Sequence, residues 1–167
     1  TFRSDCRGAV RVVVDDARRA LEREPDSSLD LLVIDAFTGD SVPTHLLTRE
    51  AFAIYGRKLR ADGALAFHVS NKYLDFVPVV EAVAAAGGWM GLYARDDDVG
   101  AEAARLPSEW IVLSRSLDTV QAIYSRPTSD RWTWRLCTES PTAVPWTDDR
   151  TAVIEALWHR RRLPEAF

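Results

Sequence analysis

Three places in this chain set polar side chains directly after apolar runs. Asp15-Asp16 follow Val10-Arg11-Val12-Val13-Val14, Asp35 follows Leu31-Leu32-Val33-Ile34, and His68, Ser70 and Asn71 close Ala64-Leu65-Ala66-Phe67. A carboxylate so placed can take a proton from a substrate or hold a cation. It can equally be a solvated acid where a strand meets water, or a helix cap. For Asp35 the pattern leaves both open. Asp40, between Gly39 and Ser41, serves either a turn or a ligand. His45 and His68 could join Asp35 around an ion, but their spacing matches no metal rule, so no metal is expected. Asp148-Asp149 look metal-like, yet the first turn of a helix explains them without an ion. No Ser-His-Asp order or Cys-His pair marks a nucleophilic site.

The elements that must position these groups can be read from the pattern. Val10–Val14 is short and β-branched, which predicts a strand. Asp15 or Asp16 then caps a helix running to about Arg23. Leu29–Ile34 is apolar apart from Asp30, and continuous apolarity suits a parallel strand covered on both faces. Ala51, Phe52, Tyr55 and Leu59 share the face of a helix from about Thr48 to Leu59. Asp62-Gly63 predicts a turn that ends it, before a third strand at Ala64–Val69. Asp75 caps a helix with Pro78 in its first turn, closed by Gly87-Gly88. Trp89–Tyr93 and Trp110–Leu113 read as further strands, with a helix at Leu117–Tyr124.

Residues 125–146 read as an extended segment in which Trp132 and Trp134 suit an edge strand or a partner surface. Thr147 caps a last helix over 147–160, with His159 to Arg162 as its solvated end. Strands alternating with helices predict a single α/β domain over 1–167 with a mostly parallel sheet. Ligands of such sheets bind outside the carboxyl ends of the strands, where all three polar groups fall.

Composition excludes several classes. The net charge of −4 argues against a nucleic-acid partner, whose phosphates need Lys and Arg. Two distant cysteines, Cys6 and Cys137, predict no disulfide framework and suit a reducing cytoplasm. No apolar run reaches the roughly 18–20 residues of a membrane span.

Asp16-Ala17-Arg18 after a strand, DAFTGDSVPTHLLTREAF from Asp35, FHVSNKYLD from Phe67 and PWTDD from Pro145 together resemble the spermidine synthase-like (polyamine aminopropyltransferase-like) group of bacterial proteins. The resemblance runs from about Val10 to Leu157 and is nearest to the version fused behind a transporter-like membrane segment. It implies a Rossmann-type, class I methyltransferase-like fold that binds decarboxylated S-adenosylmethionine or S-adenosylmethionine as substrate, a polyamine as small-molecule partner, and no metal. It implies Asp35 as general base and places Asp16, Ala17, Asp35 and Ala36 at the nucleoside. Asp40, His68, Asn71 and Tyr73 fall on the polyamine side.

The departures are specific. Asp15 stands where the family's motif has glycine. The family's glycine-rich loop and ribose-binding acid precede the Asp-Ala-Arg step, and nine residues with Gly8 alone precede Val10. The chain, which begins with Thr, is therefore expected to be a fragment. It lacks central strands of the N-terminal half, which another segment or a homodimer would have to cover. The family's catalytic tyrosine is unmatched where Leu106-Pro107-Ser108-Glu109-Trp110 stands. The expected function is aminopropyl transfer by the parent protein at the cytoplasmic side. The alternatives are a non-catalytic nucleoside- or polyamine-binding or assembly module, and an S-adenosylmethionine-dependent methyltransferase.

Overall fold

The computed structural model describes residues 6–36, 43–71, 73–96, 107–126, 132–137, 143–154 and 156. Among them the chain runs through α1 (Ala17–Glu22), β1 (Leu29–Ile34), one 3-10 turn at Thr44–Leu46 and α2 (Arg49–Lys58). It continues through β2 (Leu59–His68), α3 (Val77–Ala86), β3 (Met90–Asp96), β4 (Ser108–Ser114), α4 (Leu117–Tyr124) and the short β5 (Arg135–Leu136). The class is α/β, as the alternation predicts. No described helix is long and apolar enough to cross a membrane.

The helix ends follow their sequence signals. Asp16 caps α1, Thr48 caps α2 and Ser116 caps α4, each side chain accepting a hydrogen bond from a first-turn N–H. Asp75 does the same one position earlier for α3, accepting from Val77 N at 3.0 Å. Gly88 closes that helix at φ +70°, a conformation that side chains resist.

The strand order is β1-β2-β4-β3-β5. β1 and β2 are parallel, β4 is antiparallel to both β2 and β3, and β5 is antiparallel to β3. β1, β2 and β3 therefore share one direction, and β4 is inserted in reverse between two of them. The sheet is mixed where a mostly parallel one was expected. Apolarity over Trp110–Leu113 reports a central strand with neighbours on both sides; it carries no information on direction.

Asp62-Gly63, expected to end a helix, instead lies inside β2. The register passes from Leu29↔Leu59 to Leu31↔Ala64, so β2 carries extra residues there as a bulge. The bulge is pinned by Ser114 Oγ donating to the Gly63 carbonyl at 2.8 Å and Thr119 Oγ1 donating to the Asp62 carbonyl at 3.0 Å. A Cβ on Gly63 would come within 3.1 Å of the Leu29 carbonyl oxygen, which explains the glycine.

The core lies between the sheet and the pair α2, α3. Phe52 and Tyr55 of α2 meet Phe67 of β2, with the Phe52 and Phe67 rings stacked at 5.2 Å. Leu32 and Ile34, Leu65, and Ile111 and Leu113 add the same face of β1, β2 and β4. On the opposite face Ala66, Leu92 and Ala94 are buried, and α4, with its buried Val120, packs on β2, β3 and β4. Over β1 that second face stays open, with Leu31 57% and Val33 47% exposed.

Two expected elements differ. Val10–Val14 forms no strand and is exposed. Local β-branching favours extended backbone, but a strand also needs a ladder partner, and none of the described strands pairs with it. Thr147 does not cap a helix; Thr147 and Arg150 close a tight turn by paired backbone bonds. Val153, Ile154 and Ala156 are helical, and 157–160 lies outside the described residues. In 125–146 the only described strand is β5, on the outer edge of β3.

Removal of the ring at the centre of the core should be severe. Phe67→Ala is expected to lower unfolding free energy by roughly 3–5 kcal/mol in urea titration. A loss below about 1 kcal/mol would show that Phe67 does not organise this layer.

Candidate functional site

The register of β1 against β2 builds the site. Ile34 pairs with Phe67, so the next residues, Asp35 and His68, leave the sheet side by side. His68 Nδ1 lies 2.8 Å from Asp35 Oδ1. On its other side His68 pairs with Trp110 of β4, and the two rings stack at 4.8 Å with 21° between planes. Asp35, His68 and Trp110 thus form one row across three strands. Trp110 is itself held by its Nε1–H, which donates to Ser108 Oγ at 2.8 Å.

Beneath this row the ends of β2 and β4 are tied together. Glu109 N donates to Ser70 Oγ at 2.7 Å, and Val69 N donates to the Glu109 carbonyl at 2.9 Å. The Glu109 carboxylate accepts from Tyr93 Oη at 2.6 Å and faces Arg95 at 3.5 Å. Burial, and then the Glu109 carboxylate, push the Tyr93 hydroxyl well above its ordinary range.

The remaining expected site residues divide. Asn71 Oδ1 accepts from the N–H groups of Tyr73 and Leu74 at 2.9 Å each, so its carbonyl shapes the loop. Tyr73 is exposed beside it. Asp40 lies outside the described residues. Ala36 follows Asp35 and packs against the core cluster.

Asp16 and Ala17 belong to a second cluster. Asp16 Oδ1 accepts from Arg19 N at 3.1 Å as the cap of α1, and Oδ2 lies 3.0 Å from His45 Nε2. The helix N–H of Arg19 is the largest cause holding its carboxyl below the ordinary range; burial opposes it, and the His45 ring adds to the lowering. Arg18 makes a two-pronged contact with Asp148, both oxygens at 2.7 Å. Thr48 Oγ1 also donates to Asp148 at 2.7 Å, and Asp148 N donates to Glu50 at 3.0 Å. The Pro145–Asp149 segment is thereby clamped to α1 and α2, with Trp146 buried against Phe76. His45 and His68, considered together as metal ligands, go to different carboxylates. Burial pushes the Cys137 thiol up to about 12, which keeps it protonated and poorly nucleophilic.

Sequence reasoning missed Trp110 and Glu109 as parts of the site. Trp110 reads only as a strand residue until its register with His68 is known.

No family model matches the sequence, and no curated protein matches it. The fold is similar to that of a structure described as a probable spermidine synthase from Corynebacterium glutamicum ATCC 13032, with a TM-score of 0.59 and 18% identity over 86% of this chain and 56% of that one. MNMC2 from Aquifex aeolicus aligns with a TM-score of 0.49 and 18% identity over 93% of this chain and 46% of that one. The chain therefore spans about half the length of these neighbours. It shares with the first the Rossmann-type, spermidine synthase-like fold that the resemblance implied.

The clamp is testable through stability. Asp148 is 41% exposed, so solvent screens its pair with Arg18, and Asp148→Asn should cost about 1 kcal/mol at neutral pH. Arg18 first, and Thr48 after it, hold the folded carboxyl below its ordinary 3.8. The contribution is then complete above that value and fades as pH falls through the folded one. Urea unfolding of both proteins at about pH 7 and about pH 3 should show a deficit that shrinks in acid; an equal deficit would contradict the clamp.

Proposed function

We propose that this chain carries the amine side of a spermidine synthase-like aminopropyltransferase site, with Asp35 as general base. The observation that carries the reading is Asp35 itself. It stands at the carboxyl end of a parallel strand, its side chain is 59% exposed, and one oxygen is held by His68. Among the described residues its other oxygen accepts no hydrogen bond, which leaves it for a substrate. The fold likeness supports the choice of scaffold.

The chemistry asks for such a group. An amine attacks the carbon next to a sulfonium, the new C–N bond forms, and the C–S bond breaks with its electrons left on sulfur. The attacking nitrogen must shed a proton, and a carboxylate beside it can take that proton. A carboxylate also attracts a cationic polyamine and complements the sulfonium. Decarboxylated S-adenosylmethionine is the donor this reading takes; S-adenosylmethionine with methyl transfer uses the same displacement at a different carbon. Asp16 fits an adenine contact only as a shared role, since each of its oxygens already has a partner.

A non-catalytic binding module is the second reading, since an exposed Asp35 held on one side by His68 can bind a cationic polyamine without any transfer. Assay of the full-length protein containing this chain with decarboxylated S-adenosylmethionine and putrescine separates the two. Asp35→Asn is expected to reduce turnover by roughly 10²–10⁴-fold. Equal rates would sink the role of Asp35, and neither activity nor binding heat with a sulfonium nucleoside would favour the module.

A further inference from the structure

We infer that His68 is a positioning residue for Asp35: its Nδ1–H donates to Asp35 Oδ1 and turns Oδ2 to the reacting amine, while Trp110 fixes the imidazole plane. This rests on the general-base reading of Asp35. It adds a residue and a protonation pattern that the resemblance, which put His68 only on the polyamine side, does not contain.

Several features point the same way. The 2.8 Å separation is that of a hydrogen bond between a ring nitrogen and a carboxylate oxygen. A carboxylate has no proton to give when ionised, so the nitrogen must be the donor. A neutral imidazole that donates from Nδ1 carries its lone pair on Nε2. The ring does not choose its plane freely. It is stacked 4.8 Å from Trp110, and Trp110 is anchored to Ser108. Backbone register fixes both neighbours, Asp35 one residue beyond the Ile34↔Phe67 pair and Trp110 opposite His68.

Exposure decides which of the two meets substrate. The Asp35 side chain is 59% exposed and that of His68 only 27%. The carboxylate faces solvent and the imidazole stands behind it, which is the arrangement of a base and its orienting partner. Among the described residues the charges facing the ring can be named. Just past the end of β1 it faces Asp35. On β4 its neighbour is the uncharged Trp110, next to Glu109, whose carboxylate is taken up by Tyr93 and Arg95 on β3.

The proton balance closes without the imidazole changing charge. The amine N–H bond breaks and an O–H bond forms on Asp35 Oδ2. Meanwhile Nδ1–H stays on Oδ1, now the carbonyl oxygen of the acid. Release of that proton to solvent restores the carboxylate. Loss of Nδ1–H would leave the carboxylate free to rotate, and misplacing a reacting atom by about 1 Å can slow a reaction by roughly 100-fold.

Two measurements test this. The first is nitrogen NMR of the imidazoles; the chain has three histidines, His45, His68 and His159. His68 is expected as the Nδ1–H tautomer in the wild-type chain, reverting to mainly Nε2–H in Asp35→Ala, with His45 unchanged. An Nε2–H tautomer in the wild type overturns the pairing. The second is steady-state kinetics on the full-length protein. His68→Leu should lower kcat by roughly 10- to 100-fold with little change in KM for the sulfonium donor. His68→Asn, whose amide can donate from nearly the same position as Nδ1, should recover most of the loss. A His68→Leu variant as fast as wild type overturns the role. A His68→Asn variant as slow as His68→Leu overturns positioning in favour of His68 taking the proton itself. Absence of transfer in the wild type overturns the general-base reading beneath it, and the tautomer result still decides the pairing.

Discussion

The parallel pairing of β1 with β2 is the constraint on which the rest depends. A slip of one residue would move Asp35 away from His68 and send Leu32 and Ile34 to the wrong face. Burial prevents the slip. Leu32, Ile34, Leu65 and Phe67 all enter the core under α2 and α3, so the register that buries them also juxtaposes the acid and the imidazole. The bulge after Leu59 absorbs the mismatch between the two strands. Its carbonyls are held by Ser114 and Thr119, from β4 and α4. The geometry at one end of the sheet is thus secured from the other end.

The inserted strand β4 has a second consequence. Being antiparallel, it brings its N-terminal half to the carboxyl end of β2, and so delivers Trp110 and Glu109 to the candidate site. On the other side of the site the sheet ends, among the described residues, at β1. Leu31 and Val33 leave apolar surface exposed there. An open edge beside exposed apolar side chains invites pairing with a further strand.

What the sequence made legible was local. The period of Ala51, Phe52 and Tyr55 located α2, the caps located helix starts, and unbroken apolarity located β1. Errors arose where a distant partner decides. Val10–Val14 has every local mark of a strand and no ladder. Thr147-Asp148-Asp149 has the marks of a helix start, but the Asp148 carboxylate is drawn away by Arg18 and Thr48, 130 and 100 residues distant. Asp35 and His68 were each visible as strand ends. Their contact spans 33 residues and follows only from a register that neither segment states alone.

The two carboxylate–histidine pairs show why residue type does not settle chemistry. Asp16–His45 and Asp35–His68 have similar separations, 3.0 and 2.8 Å. Asp16 is also a helix cap, so both oxygens are engaged, and the Arg18–Asp148 clamp on α1 fixes its surroundings. A cationic substrate would have to compete with a backbone N–H there. Asp35 keeps one oxygen without a partner among the described residues, stands mostly in solvent, and has a histidine braced by an aromatic ring behind it. A carboxylate engaged on one side and open on the other can hold a fixed direction and still accept a proton. That asymmetry, set by strand register, is what distinguishes Asp35 from the similar acid at the start of α1.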